Sequence, residues 1–250
     1  MATQKLTLKR SFTTIFAGLL LTQHLVFAQS APNHEDAFWY VQGQISTLSD
    51  HKDASFQAAL GGPVRVDGSQ ALNNGRSGSL AVGRQMTYRD DNGDKIPLRL
   101  ELESWSGRYA RERVSLGVRT ETVNDQVRFN VIFLNAAIRL AESEKKYADT
   151  LSPVGQFWLK AGVGLGTGKY PDTTYNFGCA CMRAADSRAA SYQLQLIYEV
   201  QSSKNVQIFG QLGRVWLPSV GTEIGLGGSQ TRYQKLGTDT VSLGLRYAFH

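Results

Sequence analysis

The chain has 250 residues and a net charge of +6 at pH 7, half of which comes from Lys5, Lys9 and Arg10 near its start. The remaining +3 over about 220 residues gives no support to nucleic-acid binding. Beyond the first apolar run, no stretch approaches the ~20 apolar residues that a spanning helix needs.

Residues 1–28 read as a secretory signal. They combine the basic start with an apolar run around Phe16 to Leu21 and the cleavage-type ending Val26-Phe27-Ala28. The run is short and is interrupted by Thr22, Gln23 and His24, which argues against an uncleaved anchor. Cleavage after Ala28 makes Gln29 the expected mature N-terminus, and the absence of a lipobox cysteine argues against a lipoprotein. Residues 29–36 form a short periplasmic segment in this reading, and 37–250 one domain.

That domain alternates with period two. Candidate strands fall at 37–48, 78–89, 96–107, 125–141, 154–167, 189–201, 205–217 and 239–249. The connections Asp90 to Lys95, Glu142 to Pro153 and Ser202 to Lys204 are short or moderate and polar; those at about 49–77, 108–124, 168–188 and 218–238 are long. An even strand number, with short turns at one end and long loops at the other, predicts an all-β fold. It is an eight-stranded antiparallel transmembrane up-and-down β-barrel with four long external loops, in the outer membrane of a Gram-negative bacterium. Closure is obligatory, because an open sheet edge in hydrocarbon leaves N–H and C=O groups unpaired.

The expected lipid face holds Trp39, Val41 and Ile45; Leu98, Leu100 and Leu102; and Phe157, Leu159, Ala161, Val163 and Leu165. It continues with Tyr192, Leu194, Leu196, Tyr198 and Val200; Val206, Ile208 and Leu212; and Val241, Leu243, Leu245, Tyr247 and Phe249. The expected lumen holds Tyr40, Gln42, Gln44, Arg99, Glu101, Glu103, Lys160, Gln193, Gln195, Glu199, Gln207, Gln211 and Arg246. Two places break the pattern. Arg84 shares a face with Leu80, Val82 and Met86, which implies either snorkelling to an interface or a slipped register. Val127, Phe129 and Val131 are out of phase with Ile132, Leu134, Ala136, Ile138 and Leu140, which implies a β-bulge near Val131 that leaves Asn135 and Arg139 inside.

An eight-stranded barrel has room inside only for its own side chains or one small ligand. Its expected charges are Arg99, Arg139, Lys160 and Arg246 against Glu101, Glu103 and Glu199. In a low-dielectric tube these must pair. Such pairing builds a lumen ion-pair network that acts as a structural plug; a gated proton or ion path is the competing reading. Gly162, Gly164 and Gly244 leave room for large neighbours such as Trp158 and Phe209.

Little chemistry stands out. The run Gly162 to Lys169 departs from a phosphate-binding loop at Val163 and Tyr170, and a Pro171-Asp172 turn follows it instead of a helix. No cofactor is expected. Cys179 and Cys181, in the third long loop, read as a local disulfide or incidental pair, with intermolecular pairing and metal or redox chemistry as alternatives. His51 and Ser55 are a weak nucleophile pair in a loop, and catalysis is not expected. Arg108, Arg111 and Arg113 cluster where lipopolysaccharide phosphates would lie, although a solvated charge cluster explains them equally well. Trp105, Tyr109 and Trp216 stand where an aromatic girdle is expected.

Several segments together resemble the OmpA-like and opacity-type family of small outer-membrane barrels, which includes the P44/Msp4-like surface antigens. They are Tyr40-Val41-Gln42-Gly43-Gln44, Leu98 to Glu103, Leu134-Asn135-Ala136-Ala137, Gly162-Val163-Gly164 and Leu245-Arg246-Tyr247-Ala248-Phe249. The resemblance implies a non-enzymatic surface antigen, adhesin or envelope-stabilising barrel whose loops contact lipopolysaccharide, host or matrix ligands. It also implies that Leu245, Tyr247 and Phe249 form a C-terminal signal for the barrel-assembly machinery. His250, at the place of the usual terminal Phe, departs from that pattern.

Overall fold

The computed structural model describes residues 37–59, 65–89, 95–142, 155–172, 185–203, 205–221 and 230–249. The expected signal sequence, Cys179 and Cys181 lie outside the described residues. The described elements are all strands: β1 (Phe38–Leu48), β2 (His51–Ala59), β3 (Arg65–Arg89), β4 (Lys95–Leu116), β5 (Arg119–Glu142), β6 (Gly155–Tyr170), β7 (Ala185–Gln201), β8 (Val206–Trp216), β9 (Val220–Gly221), β10 (Gln230–Tyr233) and β11 (Gly237–Phe249).

From β3 to β8 each strand pairs antiparallel with the next, β8 pairs with β11, and β1 pairs with both β3 and β11. Eight strands, β1, β3, β4, β5, β6, β7, β8 and β11, therefore close a ring. Alternation dictates closure: both faces of each strand are already committed to a medium, and the edges alone are left to pair. β2 carries the line of β1 past Ser49 and Asp50 and pairs with β3 and β10, while β10 also pairs with β9. These three short strands extend the wall beyond the ring.

The register fixes the slant of the strands. Stepping along hydrogen bonds from Trp39 passes Arg84, Leu100, Ala136, Ala161, Leu194 and Arg214 and arrives at Asp239. Trp39 itself pairs with Phe249, so one circuit climbs ten residues of β11. With 3.3 Å per residue and 4.8 Å between strands, that stagger tilts the strands by roughly 40°.

The outward face of the ring is apolar. Ile45, Leu80 and Leu165 are each 72% exposed, and Leu102, Leu134, Val163, Leu194, Leu212, Leu243 and Leu245 are exposed with them. In water this surface would drive aggregation; it matches a hydrocarbon band. Trp39, Tyr88, Phe157, Tyr198 and Phe249 border the band near the short-turn ends of the strands. Arg84 does face outward, in unbroken register, and its guanidinium lies 5.7 Å from the Trp39 ring centroid within this aromatic border. Snorkelling is the account the structure selects.

Three expectations need correction. First, the long connections contain much strand. β3 starts at Arg65, β4 runs to Leu116, and β5 starts at Arg119, so the segment read as the loop 108–124 is a hairpin turning at Gly117 and Val118. Gly117 has φ +59°, a left-handed conformation that suits glycine in a two-residue hairpin turn. Second, there is no bulge at Val131. Register runs unbroken from Arg111 opposite Asp125 to Leu98 opposite Ile138, with Val127, Phe129, Val131, Phe133 and Asn135 all inward. What changes along β5 is the medium. Low in the ring the outside is lipid and the lumen polar; higher up the outside is polar and the interior apolar. Third, Trp105 and Tyr109 point into the interior and are buried, so of the expected upper girdle only Trp216 is partly exposed.

Leu245→Arg, at the middle of the apolar face of β11, is expected to destabilise the folded barrel by about 2 to 4 kcal/mol. Gln126→Arg, on the outward face of the extension, should change it by less than about 0.5 kcal/mol. Reversible urea unfolding in lipid vesicles measures both, and equal effects would overturn the assignment of the lipid band.

Candidate functional site

The lumen is the place where the wall brings ionisable groups together. Strand parity aims Tyr40, Gln42 and Gln44 of β1, Arg99, Glu101 and Glu103 of β4, Asn135 of β5, Lys160 of β6, Gln193 and Glu199 of β7 and Arg246 of β11 inward, and all are buried. At this depth three cations, Arg99, Lys160 and Arg246, meet three carboxylates, Glu101, Glu103 and Glu199.

Each carboxylate collects donors from several strands. Glu103 accepts from Ser79 Oγ at 2.5 Å, Asn135 Nδ2 at 2.7 Å, Gln193 Nε2 at 2.8 Å, Gln44 Nε2 at 3.2 Å and Lys160 Nζ at 3.3 Å. Those donors stand on β3, β5, β7, β1 and β6. Glu101 accepts from the Tyr40 hydroxyl at 2.7 Å and lies 3.7 Å from Lys160 Nζ. Glu199 is gripped bidentately by Arg99 at 2.6 and 2.8 Å, accepts from Trp158 Nε1 at 2.8 Å, and takes a short bond from Arg246 Nη1. The Arg99 guanidinium also stacks 3.5 Å from the Trp158 ring centroid, a cation–π contact strengthened by exclusion of water. Arg246 completes its shell with Gln42 Oε1 at 2.8 and 3.0 Å and Gln207 Oε1 at 3.2 Å.

Above this layer the interior becomes apolar. Phe56, Leu72, Trp105, Tyr109, Val114, Val127, Phe129, Val131, Phe133, Tyr170, Val215, Leu217, Val220 and Tyr233 form one buried cluster. Tyr170 and Tyr233 stack within it at 3.7 Å between centroids and 10° between planes. The lumen is thus filled twice along its axis, by a charge-neutral polar layer and by a hydrophobic layer. Gly244 permits the first: a Cβ there would collide with the Phe209 ring and lie 2.7 Å from the Gly43 carbonyl oxygen.

Of the seven residues expected in the ion-pair network, six meet in the polar layer. Arg139 does not; it stands at the rim, bonded to Glu142 at 2.7 Å with both side chains partly exposed. It lies too near the short-turn end of β5 to reach the lumen charges. Arg111 departs from its expected lipopolysaccharide role: it is fully buried, with a fork onto Asp125 at 2.6 and 2.8 Å and further bonds to the Pro171 and Asp172 carbonyls. Arg111 is inside by the same parity that buries Trp105 and Tyr109, Arg108 is outward by that parity, and a register shift between Arg111 and Arg113 turns Arg113 outward. Leu245, Tyr247 and Phe249 face outward on β11. Sequence reasoning missed the roles of Ser79, Asn135 and Trp158 as carboxylate partners. Their inward parity was the available signal, but which carboxylate each would meet depends on the stagger.

His51 and Ser55 line a cavity of about 440 Å³ in the wall, together with Asp50, Lys52, Asp53, Gln70, Tyr170 and residues 234–237. It opens where the β1–β11 ladder ends at Leu48 opposite Thr240 and pairing resumes at Phe56 opposite Tyr233. The His51 ring packs edge-on against Tyr109 at 5.8 Å, its Nε2 is buried without a hydrogen bond, and burial lowers its pKa below the ordinary 6.5. Ser55 points outward. Among the described residues, no cluster of three or more His, Cys, Asp or Glu side chains is placed to hold a metal ion.

No family model matches the chain, and neither does any curated protein. Among solved structures it is similar to the outer membrane protein OprG from Pseudomonas aeruginosa, at 12% identity and TM-score 0.49, covering 87% of this chain and 98% of that one. It is also similar to Neisserial surface protein A, at 13% identity and TM-score 0.40 over 86% and 99%. A third is the outer membrane protease OmpT from Escherichia coli, at 7% identity and TM-score 0.41 over 85% and 96%.

Glu199→Gln keeps the shape but strands Arg99 and Arg246 without their shared counter-charge, and is expected to destabilise the barrel by about 3 to 5 kcal/mol. Glu142→Gln, at the exposed rim pair, should lose less than about 1 kcal/mol. Denaturant titration of both variants checks the contrast; similar losses would show that the lumen network does not hold the wall.

Proposed function

We propose that this chain is a non-enzymatic outer-membrane barrel of a Gram-negative bacterium. In this reading it serves as a surface antigen, adhesin or envelope-stabilising element, with its extension and external connections as the contact surface for host or matrix ligands. The observation that carries the reading is the doubly filled lumen. A conducting path needs water or mobile ions along the axis, whereas here the inward charges are matched three against three and capped by an aromatic and aliphatic layer. Charges so paired tie β1, β3, β4, β5, β6, β7 and β11 together across the interior. They favour a structural role over transport.

The polar outer face of the extension supports contact work, since it stands clear of the lipid band on strands that a shared apolar core makes rigid. Catalysis has weaker support: the buried His51 Nε2 makes no bond to Ser55, so neither activates the other. Insertion would use the outward aromatic and aliphatic row Leu245, Tyr247 and Phe249 as the signal to the assembly machinery.

In planar bilayers the refolded protein is expected to leave the current at the membrane baseline over a range of voltages. Sustained open-channel current would replace this reading with a narrow channel. Lipid A mass spectra from cells with and without the protein are expected to coincide. A mass shift that His51→Ala or Ser55→Ala abolishes would assign a lipid-modifying enzyme instead.

A further inference from the structure

Immediately outside the apolar band, the register of the wall aligns four cations. Arg76 of β3 lies directly opposite Arg108 of β4, Arg108 opposite Arg128 of β5, and Arg128 opposite Lys169 of β6. All four side chains are exposed on the outward face. Lys169 has its own counter-ion, Asp186 at 3.2 Å, and on the other side of the ring Arg214 has Asp239 at 3.7 Å. Arg76, Arg108 and Arg128 form no ion pair or side-chain hydrogen bond with any described residue.

Direct cross-strand neighbours have Cβ atoms about 5 Å apart, and like charges there destabilise a sheet. Three consecutive arginines in that arrangement therefore call for an anion, and none of the described residues supplies one. We propose that they bind the phosphate groups of lipopolysaccharide in the outer leaflet. This deepens the contact anticipated for Arg108, replaces Arg111 in it, and rests on the outer-membrane placement proposed above.

Depth and chemistry favour that occupant. On these four strands the rung next toward the membrane is Gly78, Ser106, Asn130 and Thr167, small or polar and uncharged, and the one below it, Leu80, Ser104, Ile132 and Leu165, begins the apolar face. Acyl chains, a hydrogen-bonding headgroup and then anionic charge are met in that order moving outward. The row also slants. At a strand tilt of roughly 40°, each step across the sheet rises about 3 Å, so the three guanidinium groups are staggered over about 6 Å of depth. A glycolipid with phosphates at more than one height can bridge such a stair. Guanidinium forks bind phosphate oxygens bidentately, and adjacent forks can share one phosphate.

The test uses the chain refolded in detergent micelles, titrated with diphosphorylated lipid A and, separately, with the same lipid A stripped of phosphate. Wild-type protein should bind the diphosphorylated form and show a raised thermal midpoint, with the gain falling as salt is added. The triple variant R76Q/R108Q/R128Q should bind about tenfold more weakly or worse while retaining the heat-modifiable gel shift of a folded barrel. A charge-matched control in the extension, K52Q/R65Q/R232Q, should keep wild-type affinity. Equal binding of the two lipids by wild-type protein, or equal losses in the two triple variants, would overturn the proposal. Should the first triple variant not fold, the double variant R108Q/R128Q and the phosphate dependence of the wild type decide the question. Failure here leaves the sealed lumen untouched, because that is read by current across a bilayer.

Discussion

A strand that crosses hydrocarbon meets no water along its length, so every backbone N–H and C=O must find a partner on a neighbouring strand. For eight strands this leaves one arrangement without edges, a ring. The pairing of β1 with both β3 and β11 supplies it. Closure in turn constrains the interior. The stagger of ten residues sets the tilt and the bore, and a bore this narrow cannot hold bulk water beside its own side chains.

Inverting a protein's polarity creates a difficulty that soluble folds avoid. Polar residues pointing into a dry tube have nowhere to solvate, and an unmatched charge there would be several kcal/mol out of balance. The barrel resolves this by neutrality and by sharing. Glu103 is satisfied by five other strands, and Glu199 joins β7 to β4, β6 and β11. Because each carboxylate is bonded from several directions, strand slippage would break many charge-assisted bonds at once. The same groups that make the lumen polar also fill it.

Partway up the wall the logic reverses. Once the outside becomes water and headgroups, the ordinary preference returns, and the interior fills with Phe, Tyr, Val and Leu. The outward face then becomes free to carry charge. It does so unevenly: Lys169 and Arg214 have their own carboxylates, while three arginines on β3, β4 and β5 have none among the described residues.

Alternation alone made the transmembrane part legible. The apolar rows on β4, β6, β7 and β11 and the inward charges between them come from period two, because a side chain's face depends only on its parity along the strand. The extension was not legible by the same rule. Its alternation has the opposite sense, so Val127, Phe129 and Val131 looked like a slipped register when only the surroundings had changed. Pairing across the ring was also out of reach. That Arg99 would clasp Glu199, that Arg139 would stop at the rim with Glu142, and that Arg76, Arg108 and Arg128 would share one rung all depend on how far each strand is shifted against the next. Sequence set the faces, since parity is a local property of the chain; the tertiary structure decided the partners, since stagger is a property of the closed ring.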